Sequence, residues 1–439
     1  MLSRARIFRV LQATAFGQLV NIVIQVASLP LFVLHWGAQV YGEWLQLAAL
    51  PAYLALSDIG FASVAANKMA MSRARGELLE VKETYHSAWA LVSLITLTLV
   101  VVFSATAFLV PLDKLLKIPT LAPFAPEVVA LFSVCVCLGL QAQILLTVYR
   151  CEGRYASGVF FINLTRLAEF GSTAVCLWCG ASPTWLVGWM VIVRICAFLA
   201  MYLHVLRFAP WASFSPSQAR PRILRQLFSP AVAFMGFPAG YAISLQGAVI
   251  VVGNVLGPTS LVTFSAMRTI TRVAAQGMNL INSSIWPEMS AAFGRGDMAA
   301  ARKLHRRGCQ AALLIASLLV IGLYLTRHLI IKYWSHGRLS LDDTTYALLL
   351  LTVFINSLWF TSSVTQAATN NHHRLATVFV FSALLSIIVG AFLSSFYQLP
   401  GMGMSLVLGE LIMVATVLPI SLRLTKDTPA DFLRALFAF

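Results

Sequence analysis

Arg73-Ala74-Arg75-Gly76-Glu77-Leu78, a basic turn between two long apolar runs, is answered 220 residues later by Phe293-Gly294-Arg295-Gly296-Asp297-Met298. The triplets Arg75-Gly76-Glu77 and Arg295-Gly296-Asp297 fall in register without a gap, and the same shift lays Gly37 on Gly257 and Lys82 on Arg302. Each triplet follows the second apolar run of its half and opens toward a basic helix. The chain therefore reads as two copies of one unit, and the rest of the sequence says what kind.

Of 439 residues, 59% are apolar and only 11% charged, and the mean hydropathy is +0.82. Soluble domains carry about 25% charged residues, so a water-soluble enzyme is excluded, as are disordered and collagen-like chains. Apolar runs lie at roughly 11–34, 41–66, 85–110, 126–150, 157–179 and 185–207, then 227–252, 259–286, 308–326, 345–368, 376–397 and 403–424. Each is long enough for a membrane span of about 20 residues. The first, with Gln18, Asn21, Gln25 and Pro30 inside it, exceeds the apolar region of about 7–15 residues in a cleaved secretory signal and reads as a retained span. The expected fold is an all-α integral membrane protein of twelve transmembrane helices, with an amino-terminal six-helix lobe at 1–210, a Pro- and Ser-rich cytoplasmic linker at 211–226 and a carboxy-terminal lobe at 227–439. Six spans per half insert both copies in the same direction, which predicts lobes related by a pseudo-two-fold axis along the membrane normal.

The formal charge of +15 sits between the spans, where basic residues set orientation rather than bind nucleic acid. Alternate connections hold 22 Lys and Arg on the side of the termini and five on the other, namely Lys114, Lys117, Arg327, Lys332 and Arg338. That bias predicts both termini in the cytoplasm. The seven cysteines lie mainly inside apolar runs and show no disulfide or zinc spacing. No metal, cofactor or catalytic constellation is expected.

Polar residues in a span need a reason, because lipid satisfies none of them. Gln18, Asn21 and Gln25 share a face of the first span, and Asn356, Ser363, Gln366 and Asn370 repeat that pattern in the tenth. The eighth span carries Arg268, Arg272, Gln276, Asn279 and Ser283 at steps of three and four. Counted from Pro258 at about 1.5 Å per residue, its arginines lie roughly 15 and 21 Å into a core about 30 Å thick. A centred Arg costs at least about 2.5–3.5 kcal/mol against lipid, so both should face a polar interior. Arg166 and Arg194 are two further deep cations, facing the deep carboxylates Asp58, Glu169 and Glu410. If Arg166 and Glu169 satisfy each other at i,i+3, a net positive cavity remains; the competing reading is that the acids neutralise the arginines and glue the bundle. Guanidinium suits phosphate, and the amide stripes suit sugar hydroxyls, so the expected cargo is a phosphorylated glycan. Asp58, Glu169 and Glu410 are the candidates for ion coupling. Trp36, Tyr41, Trp44, Trp185 and Trp189 read as interfacial belt residues.

Pro30-Leu31-Phe32, Gly37, Tyr41-Gly42-Glu43-Trp44, Asp58-Ile59-Gly60 and Arg75-Gly76-Glu77 resemble the opening of bacterial polysaccharide repeat-unit flippases, the Wzx-like branch of the multidrug/oligosaccharidyl-lipid/polysaccharide superfamily. In the second half Arg268-Thr269, Arg272, Trp286-Pro287-Glu288, Gly294-Arg295-Gly296-Asp297 and Leu304-His305-Arg306-Arg307 are similar to that branch too. The resemblance implies an inner-membrane transporter of undecaprenyl-diphosphate-linked oligosaccharide, working in the lipid bilayer by antiport of H+ or Na+ alongside a polysaccharide polymerase and glycosyltransferases. The peptidoglycan-precursor flippases of the superfamily usually have two further helices, for which this chain has no room.

Three other functions compete. A cation-coupled multidrug exporter of the same fold resembles the chain in length and topology, but such exporters commonly carry an acid in the first span, where this chain has only amides. A membrane glycan polymerase or ligase usually bears a large periplasmic loop, which is absent. The third is a structural partner for glycosyltransferases.

Overall fold

The computed structural model describes residues 4–54, 61–226, 236–369 and 372–437. Asp58 and Asn370 lie outside the described residues, as do the side chains of Asn279, Ser283, His372 and His373. Among the described residues the regular structure is all helical: α1 Arg4–Ala52, α2 Phe61–Ala74, α3 Leu78–Leu109, α4 Leu112–Leu116, α5 Ala125–Cys151, α6 Tyr155–Trp178, α7 Pro183–Phe208, α8 Gly236–Leu256, α9 Pro258–Gly294, α10 Met298–Trp334, α11 Asp343–Ala368, α12 His372–Leu424 and α13 Pro429–Phe437.

Among the described residues eight helices are long and apolar enough to cross a membrane. Two of them are double. α1 has 49 residues, and at 1.5 Å per residue it exceeds twice the thickness of a bilayer core; it bends at Gly37, with φ 74 and ψ 171. α12, with 53 residues, bends at Gln398, with φ 55 and ψ −136. Adding α6 and α9, whose charged residues lower their hydropathy, gives twelve spans among the described residues, in a multi-pass membrane protein.

The repeat in sequence is also a repeat in backbone. Gly257, the counterpart of Gly37, has φ 88 and ψ 166, and this region is essentially open to glycine alone. At the first triplet Gly76 N donates to Arg73 O at 3.1 Å and Glu77 N to Ser72 O at 2.9 Å; at the second Gly296 N donates to Phe293 O at 3.1 Å and Asp297 N to Ala292 O at 3.0 Å. Both are helix ends closed by a glycine turn. The copies differ in the acid. Asp297 is short enough to cap α10, accepting from Ala300 N at 2.9 Å, whereas the longer Glu77 leaves α3 uncapped and accepts from Arg75 Nε at 2.8 Å.

The chain forms two compact units, Met1–Pro238 and Ala239–Phe439. In the first, a core of Met69, Tyr85, Trp89, Ile144, Tyr149 and Val205 extends onto Ala212 beyond α7. The Pro-rich stretch after α7 is laid along α3. Arg220 N donates to Ser87 Oγ at 2.9 Å, Arg220 pairs with Glu83 at 3.1 Å, and Lys68 Nζ reaches Gln226 Oε1 at 2.6 Å. Two of the expected belt residues are interior. Tyr41 and Trp44 are 7% and 5% exposed and close on Phe32 at ring distances of 4.9 and 5.7 Å. Glu43 between them is fully buried and accepts the N–H of Leu121 at 2.7 Å, so this motif ties the second span to the connection before α5. Trp185 and Trp189 are exposed, as a belt requires.

In the second unit the two spans of α12 meet along a seam of small residues. Ser382 Oγ donates to Gly409 O and Ser386 Oγ to Ser405 O, both at 2.9 Å, and a Cβ on Gly401 would stand 2.4 Å from the Leu393 backbone. In lipid, helices associate through such close backbone contact rather than by hydrophobic burial.

Candidate functional site

α6 and α7 bring the deep charges of the first unit together, in a pairing that differs from the expected one. Glu169 is joined to Arg194 rather than to Arg166. Arg194 Nε donates to Glu169 Oε1, Nη2 donates to Oε2 at 2.6 Å, and Nη1 donates to Cys135 O at 2.6 Å. The flat guanidinium fork engages both carboxylate oxygens at once, from a neighbouring helix that holds it at the right distance. Arg194 is thus a neutralised cation, and Glu169 is committed to it. Arg166 turns to α1, where Nη1 donates to Asn21 Oδ1 at 2.9 Å, a neutral partner. α1 comes close because Gly17 has no side chain: a Cβ there would stand 2.7 Å from Asn163 Nδ2. On the same stripe Gln18 is exposed and Gln25 half-buried.

Arg166 and Arg194 line a cavity of about 500 Å³ together with Thr165, Gln143, Phe198 and Met201, a volume typical of small-molecule sites. Its lining comes wholly from the first unit.

In the second unit Arg268 donates from Nη1 to Leu245 O at 3.1 Å and from Nη2 to Ser244 O at 2.9 Å, and its guanidinium lies 5.6 Å from the Phe264 ring centre. These contacts fasten α9 to α8 without cancelling the charge. Arg272, one turn on, is exposed. Among the described residues neither arginine forms an ion pair with a carboxylate. Gln276 continues this face, half-buried.

Glu410, in the second span of α12, accepts from Trp359 Nε1 at 2.5 Å and Asn356 Nδ2 at 3.1 Å, both on its Oε2. Its partners are neutral, unlike those of Glu169. Tyr241 of α8 lies within electrostatic range of Glu410 and of Arg272. Sequence reading missed Trp359 and Tyr241; their only signal was a polar atom on an aromatic ring inside a span. Gln366, expected among the lining amides, is 1% exposed and donates to Val417 O and Ser421 Oγ at 3.2 and 3.3 Å. Gln366 and Asn356 both tie α11 to α12. No group of three His, Cys, Asp or Glu that could hold a metal ion occurs among the described residues.

No family model matches the chain, and no curated protein matches it in sequence. Solved structures do match in shape. An inward-facing multidrug resistance MATE family transporter of the MOP superfamily superposes with a TM-score of 0.75 at 11% identity, covering 95% of this chain and 96% of that one. The lipid II flippase MurJ in an inward closed conformation gives 0.72 at 14% identity, over 97% and 89%. A MOP superfamily transporter from Pyrococcus furiosus, described as having reversed binding-pocket polarity, gives 0.60 at 13% identity, over 96% of each chain. The chain has the fold of the MOP superfamily transporters.

Proposed function

We propose that this protein is an alternating-access flippase that carries undecaprenyl-diphosphate-linked oligosaccharide from the cytoplasmic to the periplasmic leaflet of a bacterial inner membrane, with both termini cytoplasmic. The observation that carries the reading is the pair Arg268 and Arg272, set deep in α9 and without a carboxylate partner among the described residues. Two fixed positive charges held at that depth ask for an anion, and the diphosphate of a lipid-linked sugar supplies one. Arg166, at the cavity of the first unit, is a second phosphate contact. The transport fold, the lipid II flippase among its structural neighbours and the motif resemblance support the same reading. The work is transport, not catalysis. Glu410, held by neutral donors, is the group to exchange H+ or Na+ against the cargo.

That same carboxylate favours a second reading, a multidrug exporter whose cationic substrates meet Glu410. Deletion followed by glycan analysis separates the two. The flippase reading expects loss of surface polysaccharide and accumulation of lipid-linked repeat units on the cytoplasmic face. Drug sensitivity with normal glycans would replace it with the exporter reading.

A further inference from the structure

The helix after the last span, α13, plays no part in either charged site, yet it is built with care. Thr428 opens it, accepting from Asp431 N at 3.1 Å and donating to Asp431 Oδ2 at 2.8 Å. One flank faces the second unit: Phe432 and Leu436 are 1% and 5% exposed, and they pack with Cys309 and Leu422. The Phe432 ring stacks on His305 at 5.1 Å. Ahead of the helix Asp427 accepts from Arg306 Nε at 2.7 Å and from Nη2 at 2.5 Å. About 100° further round the helix comes a second apolar flank left open among the described residues, Leu433 and Phe437, 53% and 76% exposed. Asp431 and Arg434 take the remaining side.

The position of this flank is fixed by the span before it. Only residues 425–428 separate Leu424 from Pro429, and they double back, with Lys426 N on Arg423 O at 3.2 Å and Asp427 N on Leu422 O at 2.8 Å. α13 therefore lies at the level where span twelve leaves the bilayer, within the headgroup layer. Of the acids nearby, Asp431 pairs with Arg434 at 4.0 Å and Asp427 is taken by Arg306, which leaves an exposed basic excess of Lys303, Arg307, Arg423 and Lys426 on the flanking elements. An amphipathic helix with an apolar flank and a basic surround, held at that depth, is suited to the surface of an anionic leaflet.

We propose that α13 is an interfacial helix that seats Leu433 and Phe437 at the acyl boundary of an anionic leaflet. Through the Phe432–His305 stack and the Asp427–Arg306 pair it fixes the end of α10 to that surface. The inference rests on the membrane fold, not on the identity of the cargo.

The test uses the full-length protein in nanodiscs of phosphatidylglycerol or of phosphatidylcholine, with a benzophenone amino acid at position 433, 437 or 434. Irradiation is expected to give lipid adducts on the carboxy-terminal peptide at 433 and 437, several-fold above 434, with a higher yield in phosphatidylglycerol. Equal yields at all three positions, or cross-links to a second copy of the chain, would overturn the lipid assignment; equal yields in the two lipids would overturn the anionic preference. In the variant carrying Leu433→Glu and Phe437→Glu, amide exchange over 429–437 should rise several-fold in phosphatidylglycerol discs but not in detergent. Unchanged exchange in the discs would count against the proposal.

Discussion

Replacing Glu169 by Met strands the Arg194 guanidinium among helices, and replacing Arg194 by Met strands the carboxylate. The two side chains are 8% and 22% exposed, so water offers little rescue to whichever survives. Breaking a buried ion pair from one side costs roughly 3–5 kcal/mol, whereas exchanging both partners for apolar groups of similar size is often nearly neutral. For a body the size of residues 1–238, each kcal/mol shifts the melting midpoint by about 2–4 °C. Each single variant should therefore melt on the order of 10 °C below wild type, and the double variant should recover most of that loss. Thermal unfolding of the purified full-length protein, followed by tryptophan fluorescence, reads both effects as a double-mutant cycle. Arg272→Met provides the contrast: with no carboxylate to orphan, it should leave the midpoint unchanged yet abolish transport. Single shifts that simply add in the double variant would refute the pairing argument, and a midpoint for Arg272→Met as low as that of Arg194→Met would refute the division between structural and cargo-facing arginines.

Further tests address other parts of the molecule. Arg268→Ala and Arg272→Ala should each fail to complement a deletion at normal membrane levels, with Lys restoring only part of the activity because it lacks the planar fork; full activity of both Ala variants would remove these residues from the cargo site. Gly37→Ala and Gly257→Ala should each destabilise by roughly 1–3 kcal/mol through backbone strain, since no atom lies within 4 Å of the added carbon, while Gly171→Ala in α6 should not, as thermal melts would show. Glu410→Gln keeps an acceptor for Trp359 and Asn356 and should flatten the pH dependence of transport in vesicles; an unchanged profile would exclude Glu410 as the coupling group. Burial alone would raise the Asp427 carboxyl, but Arg306, the Thr428 N–H and Arg302 outweigh it and hold it below its ordinary 3.8. The stabilisation is therefore present above that value and lost as pH falls through the lower folded one, so Asp427→Asn should lower the midpoint at neutral pH and erase this acid dependence.

The spans and the repeat were legible because lipid enforces them. Twenty apolar residues in a row have few alternatives, and the glycines at 37, 76, 257 and 296 mark helix ends that other residues close poorly. What stayed hidden was pairing between helices. Arg166 and Glu169 stand three apart and invite a local pair, yet the rotation of α7 against α6 gives the carboxylate to Arg194. Gln366 sits in a polar stripe that reads as lining, but its amide donates to the second span of α12. Tyr41 and Trp44 have the composition of a lipid-water belt and instead enclose Phe32. In each case the residue type was readable, and its orientation depended on a partner brought in by the packing of the helices.

The seam within α12 bears on how the protein is made. With Leu393 and Gly401 in backbone contact and Gln398 joining the spans directly, the last two helices have no intervening loop and are best inserted together, as a preassembled hairpin leaving the translocon in one step. An epitope spliced at residue 398 would split that hairpin and misreport the topology of the chain, whereas the connection at 336–342 has room for one.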